Sequence, residues 1–374
     1  MEIVALLPNV SVTTPIGDER IALLDPAAAE VDGALNTDHY RVLAERVRDD
    51  AGRPTPVSVL AVADGMASEP QAWSRILAFR NVVAAACVCH ANECTLSGSP
   101  GGSRARWSDY FALYPYSFSN TGSGHLVTLT PAMRNLEHID EFAPGTNPAL
   151  PHEEIHGADH MDQHFFATLI NAWDDHFSRG DDGDATLRRV FRSLEVANMA
   201  SSLPFANQGT LHDYGMRLAL WTSAMEVLVS DGGNEQKTID RVLGGAVTAS
   251  DKANQVQVYH QPTKGPPTAT NLLQELRRQI WKVRNDFMHG NEVSISSLFA
   301  WSHRGGAFLP TVAATLYPLL VLEYLNSTRA PSDSMEEHVR WRRQQTWLHE
   351  CTEAVCRENA SNTVLGFQRK GRES

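Results

Sequence analysis

The chain has no run of about 20 uninterrupted apolar residues, the length a helix needs to cross a bilayer. Its most apolar stretch, residues 308–325, is broken by Pro310, Pro318 and Glu323, which predicts a buried, kinked helix and no membrane span. Cysteine is scarce and odd in number, five in 374 residues, so a fully paired disulfide framework is excluded and reduced thiols are expected. A basic leader is missing too: the chain opens Met-Glu-Ile-Val-Ala-Leu-Leu, strand-like from the start, and the expectation is a cytoplasmic protein without a secretory signal. Positive charge is in deficit. A net charge of -12 is unsuited to coating nucleic acid through bulk electrostatics, although a local basic patch still permits RNA to be engaged at one site. Arg277, Arg278, Lys282, Arg284, Arg304, Arg340, Arg342 and Arg343 supply such a patch, all in the last hundred residues, while the acidic run Asp181-Asp182-Gly183-Asp184 lies elsewhere. An ordinary solvated helix surface would look the same.

What is present is the composition of a globular protein, 42% hydrophobic and 20% charged, with length enough for two domains. The first 150 residues mix β-type runs at 3–7, 20–24, 57–62 and 125–130 with a helical spacing over 71–87, set by Trp73, Ile76, Leu77, Val83, Ala84 and Cys87. That pattern predicts a small mixed α/β domain of unassigned role. The loop at 97–103 is rich in Ser and Gly but lacks the lysine of a nucleotide-binding loop. Residues 151–184 read as a helical connector and linker. From 185 to 374 the spacing turns helical. Asp184 caps a helix burying Leu187, Val190, Phe191, Leu194 and Ala197; a second runs from about 213 to 229; a third starts at Leu272; a fourth starts near Thr311; Ser334 and Glu337 form a capping box for the last. The fold class is therefore α+β, an α/β domain followed by an all-α bundle.

Two clusters invite a metal. Cys87, Cys89, His90 and Cys94 lie close together, but the spacing C-x-C-H-x3-C matches no common zinc pattern. His152-Glu153-Glu154-Ile155-His156 formally matches H-E-x-x-H, and His160 and His164 continue it at four-residue intervals, so on one helix all four imidazoles would share a line. Pro151 places His152 at a first turn, the preceding residues are loop, and Asp159 stands where a metzincin has glycine. The prediction is a polar bridging helix, and no metal or other cofactor is assigned.

The most informative string is Arg284-Asn285-Asp286-Phe287-Met288-His289-Gly290. It ends the third helix of the bundle, whose stripe Leu273, Leu276, Ile280, Val283 and Phe287 has clean amphipathic spacing. Arg277, Trp281, Arg284 and Met288 fall on a line beside that stripe, putting Arg284 at the margin of the core. His289 is five residues on, about 140° round an ideal helix, so the two side chains converge only if the helix stops there. Gly290 and Asn291 predict that stop. A guanidinium next to a proton-carrying imidazole suits a phosphodiester. A structural salt bridge at Arg284, with His289 as a cap, is the alternative.

The string Arg284-Asn285-x-x-x-His289-Gly290, with the preceding helix containing Met216 and Val229, resembles the HEPN superfamily of helical-bundle proteins over roughly residues 185–374. Many members are metal-independent ribonucleases of prokaryotic defence, toxin or RNA-processing systems. The resemblance implies that Arg284 and His289 are the catalytic pair, that Asn285 is a supporting residue, and that Glu226 on the earlier helix supports the arginine. It implies RNA as substrate, Arg277 and Lys282 as further RNA-binding candidates, and a homodimer that joins two motifs into one composite site. An inactive module that binds RNA, nucleotide or a partner protein is the other form such a bundle takes. The N-terminal domain, which the bundle does not explain, is expected to sense a partner or trigger.

Overall fold

The computed structural model describes residues 1–7, 10–25, 57–69, 71–97, 111, 113–118, 126–128, 153–155, 157–178, 184–203, 210–230, 232–247, 256–260, 268–302, 308–328 and 367–369. The chain divides into two compact units, Met1–Cys87 with Arg106–Met161, and Val88–Ala105 with Asp162–Ser374.

The first unit is built on an antiparallel sheet in the order β3-β4-β5-β1-β6-β7. Its strands are β1 Glu2–Leu7, β3 Ile16–Gly17, β4 Ile21–Leu24, β5 Ser58–Val62, β6 Tyr114–Phe118 and β7 Leu126–Thr128. Every residue of β4 and β5 is buried, which is why these strands read as continuous apolar runs rather than as alternation. Gly17 has φ +126, and a Cβ there would collide with the Ile21 carbonyl, so the β3–β4 hairpin requires glycine. A separate parallel pair joins β2 Val10–Val12 to β8 Glu153–Ile155. The Ser58 hydroxyl accepts the Val12 N–H at 2.7 Å and ties β2 to the main sheet.

Helix α1, Ala72–Ser97, is longer than the spacing over 71–87 predicts, and the division between the units falls within it. Among the described residues it is the one helix with the length and apolarity to cross a membrane. That window, Ala72–Ala91, has a mean hydropathy of 1.3 and is 67% buried inside the protein.

The second unit contains, among its described residues, helices α2 Gln163–Ser178, α3 Ala185–Ser202, α4 Leu211–Val229, α5 Glu235–Val247, α6 Leu272–Met288 and α7 Leu309–Thr328. Asp184 caps α3 by accepting the Thr186 N–H at 2.8 Å, and capping boxes begin α4 (Thr210 with Asp213) and α6 (Asn271 with Gln274). The most extensive helix pairing is α3 on α4. There Ser193 donates to the Ala224 carbonyl at 2.7 Å and meets the Tyr317 hydroxyl of α7 at 2.9 Å. Tyr317 lies against Trp221 with ring centres 5.4 Å apart. Most of α7 is buried all round, as the apolar stretch with Pro318 inside it predicts.

Two expectations are corrected. The last 190 residues are not purely helical: β9 Val256–His260 pairs antiparallel with β10 Thr268–Thr270 and with β11 Phe367–Arg369. One helix, α5, also stands where the spacing predicts none, whereas α2 falls within the expected helical connector. The helix expected from Ser334 and Glu337, with Arg340, Arg342 and Arg343, lies outside the described residues, as do Arg304, Asp181 and Asp182.

Candidate functional site

The motif sits where α6 stops. His289 is the C-cap residue, with φ -95 and ψ 3, and Gly290 follows in the left-handed region at φ +70. The Asn291 N–H donates to the Asp286 carbonyl at 2.9 Å and the Gly290 N–H to that of Phe287 at 3.3 Å. This pair of bonds is a Schellman termination, which satisfies the last carbonyls and needs glycine at the turn. Asn291 also donates its amide to the Asp286 carboxylate at 3.0 Å. The imidazole of His289 is thereby left exposed at the helix end.

Phe287 anchors that end to the bundle. Its ring fills the space a side chain would need at Gly215 on α4, where a Cβ would come within 2.5 Å of it. At the other end of the contact, the Glu226 charge acts on Arg277. The pairings 215 with 287 and 226 with 277 run in opposite directions, so α4 and α6 are antiparallel.

Arg284 is half-buried. Its Nη1 donates to the Asn285 side-chain oxygen at 2.8 Å, its Nε is buried without an acceptor among the described residues, and no carboxylate among them pairs with it. Asn285 therefore orients the guanidinium without neutralising it. Lys282 is exposed on the same helix.

Glu226 is not brought to Arg284. Its carboxylate accepts from Gln236 Nε2 at 2.8 Å and acts on Arg277, which lies seven residues from Arg284, about 10 Å along the axis. Arg277 itself is withdrawn from the RNA-binding set. It is 4% exposed, its Nη1 lies 3.5 Å from Asp240, and burial lowers its pKa below the usual guanidinium value against the opposing charges of Asp240 and Glu226. Asp240 belongs to α5, which covers this flank of α6; it also pairs with Arg278 at 2.9 Å. Gln274 completes the seam by donating to the Asp240 carbonyl at 2.6 Å and packing under Gly244.

The chain after the motif folds back onto α6. Trp301 donates its N–H to the Gln279 side chain at 2.8 Å, with Trp301 at φ 57 and Ser302 at φ 56. Two consecutive left-handed residues other than glycine carry strain of about 1–3 kcal/mol each, held in place by that clamp. No motif in the sequence announces it. The Gly215–Phe287 contact did leave a signal, a glycine inside a helical pattern.

The histidine series is not one helix. Residues 153–155 are strand β8, 157–160 form a 3-10 turn, and His164 begins α2, so the expected polar bridging helix and the shared line of imidazoles are corrected. His152 and His156 lie outside the described residues. Cys87 and Cys89 are buried and two residues apart on α1, about 200° round the helix and so on opposite sides; the Cys94 side chain lies outside the described residues. Among the described residues no group of three or more potential ligands assembles.

Comparison with known proteins adds no identity: no family model matches the chain, no curated protein is significantly similar to it, and no solved structure matches it.

Proposed function

We propose that this chain is a HEPN-type, metal-independent endoribonuclease, working as a cytoplasmic homodimer in a prokaryotic defence or toxin setting, with residues 1–150 sensing the trigger. The observation that carries the reading is the state of Arg284: half-buried, held by Asn285, and unneutralised by any carboxylate among the described residues. On the same helix Arg277 is neutralised by Asp240, whereas Arg284 keeps its charge for a phosphate. Beside it, the Schellman turn presents an exposed imidazole.

In the reaction this reading assigns, the RNA 2'-oxygen attacks the adjacent phosphorus as His289 takes its proton. The bond from phosphorus to the 5'-oxygen breaks, and that oxygen receives a proton from the second histidine of the dimer. Arg284 stabilises the charge that develops on the phosphoryl oxygens. The nucleophile belongs to the substrate, so DNA resists cleavage and the products carry a 2',3'-cyclic phosphate and a 5'-hydroxyl.

One observation favours the inactive-module alternative: Glu226 is committed to Arg277 and Gln236, leaving Arg284 without the acidic support that the family resemblance implies. Arg284→Lys separates the two. Lysine cannot hold a phosphate bidentately, so a nuclease loses cleavage, whereas a simple electrostatic binder keeps most of its affinity. Retained cleavage by Arg284→Lys would contradict the assignment of Arg284.

A further inference from the structure

The outer face of α6 carries a side chain the cleavage chemistry does not use. Trp281 is 37% exposed, and no ring or hydrogen-bond partner among the described residues engages its indole. Arg284 stands three residues on, and exposed Lys282 is adjacent. On an ideal helix Trp281 and Arg284 are about 60° apart in angle and about 4.5 Å apart in height, so both side chains border one patch of surface. On an ideal helix Asn285 stands about 40° from Trp281 on the side away from Arg284, so the Arg284 Nη1 that donates to it at 2.8 Å reaches toward the side of the helix that carries the indole, while Nε stays buried.

An exposed aromatic plane flanked by two cations is complementary to a nucleotide, whose base stacks on the ring while its phosphates meet the charges. Stacking tolerates any base and owes little to overall charge, which matters for a chain with a net charge of -12. A base inside a duplex cannot leave its neighbours to lie on an indole without unpairing first.

We propose that Trp281 is a base-stacking platform for single-stranded RNA, holding an unpaired base next to the phosphate that Arg284 grips. The proposal rests on the ribonuclease reading and defines its substrate class: the site takes unpaired RNA and rejects the uninterrupted duplex.

The test uses the full chain carrying His289→Ala, which prevents turnover, and measures binding of a labelled single-stranded RNA and of the same RNA annealed to its complement. Trp281→Ala weakens single-strand binding about tenfold or more, Trp281→Phe retains most of it, and duplex binding is weak and insensitive to either change. Trp281 is only partly exposed, at 37%, so Trp281→Ala also loses some packing, and thermal unfolding of Trp281→Ala and Trp281→Phe separates a loss of binding from a loss of folding. Loss of affinity with Arg284→Ala but not with Trp281→Ala overturns the platform and leaves the nuclease site standing. Indifference to both substitutions, or no RNA binding at all, overturns both. Unchanged RNA affinity with a shift from dimer to monomer in sedimentation shows that the ring is a subunit contact and overturns the platform.

Discussion

Arg284 and His289 differ in what surrounds them, and that difference predicts how each responds to substitution. His289 is exposed at a helix end whose bonds are made by the backbone of Gly290 and Asn291, so His289→Ala should leave thermal unfolding within about 0.5 kcal/mol of the parent while abolishing cleavage. A large loss of stability would show instead that the imidazole is structural. Asn285 offers a sharper probe. Asn285→Asp would place a carboxylate where Arg284 now finds an amide oxygen, and the new ion pair should hold or raise stability while suppressing RNA cleavage and binding. Unchanged cleavage in this variant would mean that the guanidinium does not act on the phosphate. At this scale the sequence revealed residue types and spacing but not partners. Arg277 and Arg284 occupy the same line on α6, yet one is neutralised by Asp240 and the other is not. Only the placement of α5 decides between them.

The helices carry their own signals, and most were legible. Asp184 and Gly290 mark ends that the backbone observes, because capping is local chemistry within a few residues. The β9–β10–β11 sheet was not legible. Its strands are three to five residues long and non-contiguous, so no window holds enough alternation to outweigh the helical pattern around it. The histidine series misled for the opposite reason: a four-residue interval fits a helix, but the chain there is strand, 3-10 turn and helix start in succession. The contact of Gly215 on α4 with the Phe287 ring of α6 controls how the motif is held. Gly215→Ala gains about 1 kcal/mol in helix propensity. It also forces a Cβ to within 2.5 Å of the ring, an overpacking cost of about 1–3 kcal/mol. With three ring atoms inside 3.0 Å the clash wins, and a net loss of up to about 2 kcal/mol is expected, with lower cleavage because the end of α6 moves. Phe287→Leu in the same chain should restore part of both. Chemical denaturation of the two variants checks this, and a stabilised Gly215→Ala would contradict the packing.

For the whole molecule, charge and proton uptake set the conditions in which the account can be tested. His176 of α2 stacks on Phe191 at 5.1 Å between ring centres, and its Nδ1 is buried without a hydrogen-bond partner among the described residues. Burial first, and then the Arg188 charge, hold its pKa below 6.5, with Asp184 opposing. The unfolded chain therefore takes up a proton at His176 before the folded chain does, and stability falls as pH drops through about 6.5 toward the lowered folded value. His176→Phe keeps the stacking and removes the titration, so its unfolding temperature should fall less than the parent's between pH 7.5 and pH 5.5; an equal fall would contradict the assignment. The net charge of -12 limits RNA contact to few phosphates. With Arg284 and Lys282 as the cations, the logarithm of the affinity for single-stranded RNA should fall with the logarithm of salt at a slope of about -1.4. A much steeper slope would require a wider basic surface. The central claim is chemical, and one experiment addresses it directly: cleavage of end-labelled RNA by the parent and by His289→Ala in excess chelator, with the product ends identified. The account predicts 2',3'-cyclic phosphate ends from the parent alone. Cleavage that persists in His289→Ala, or that leaves 5'-phosphate ends, would contradict it.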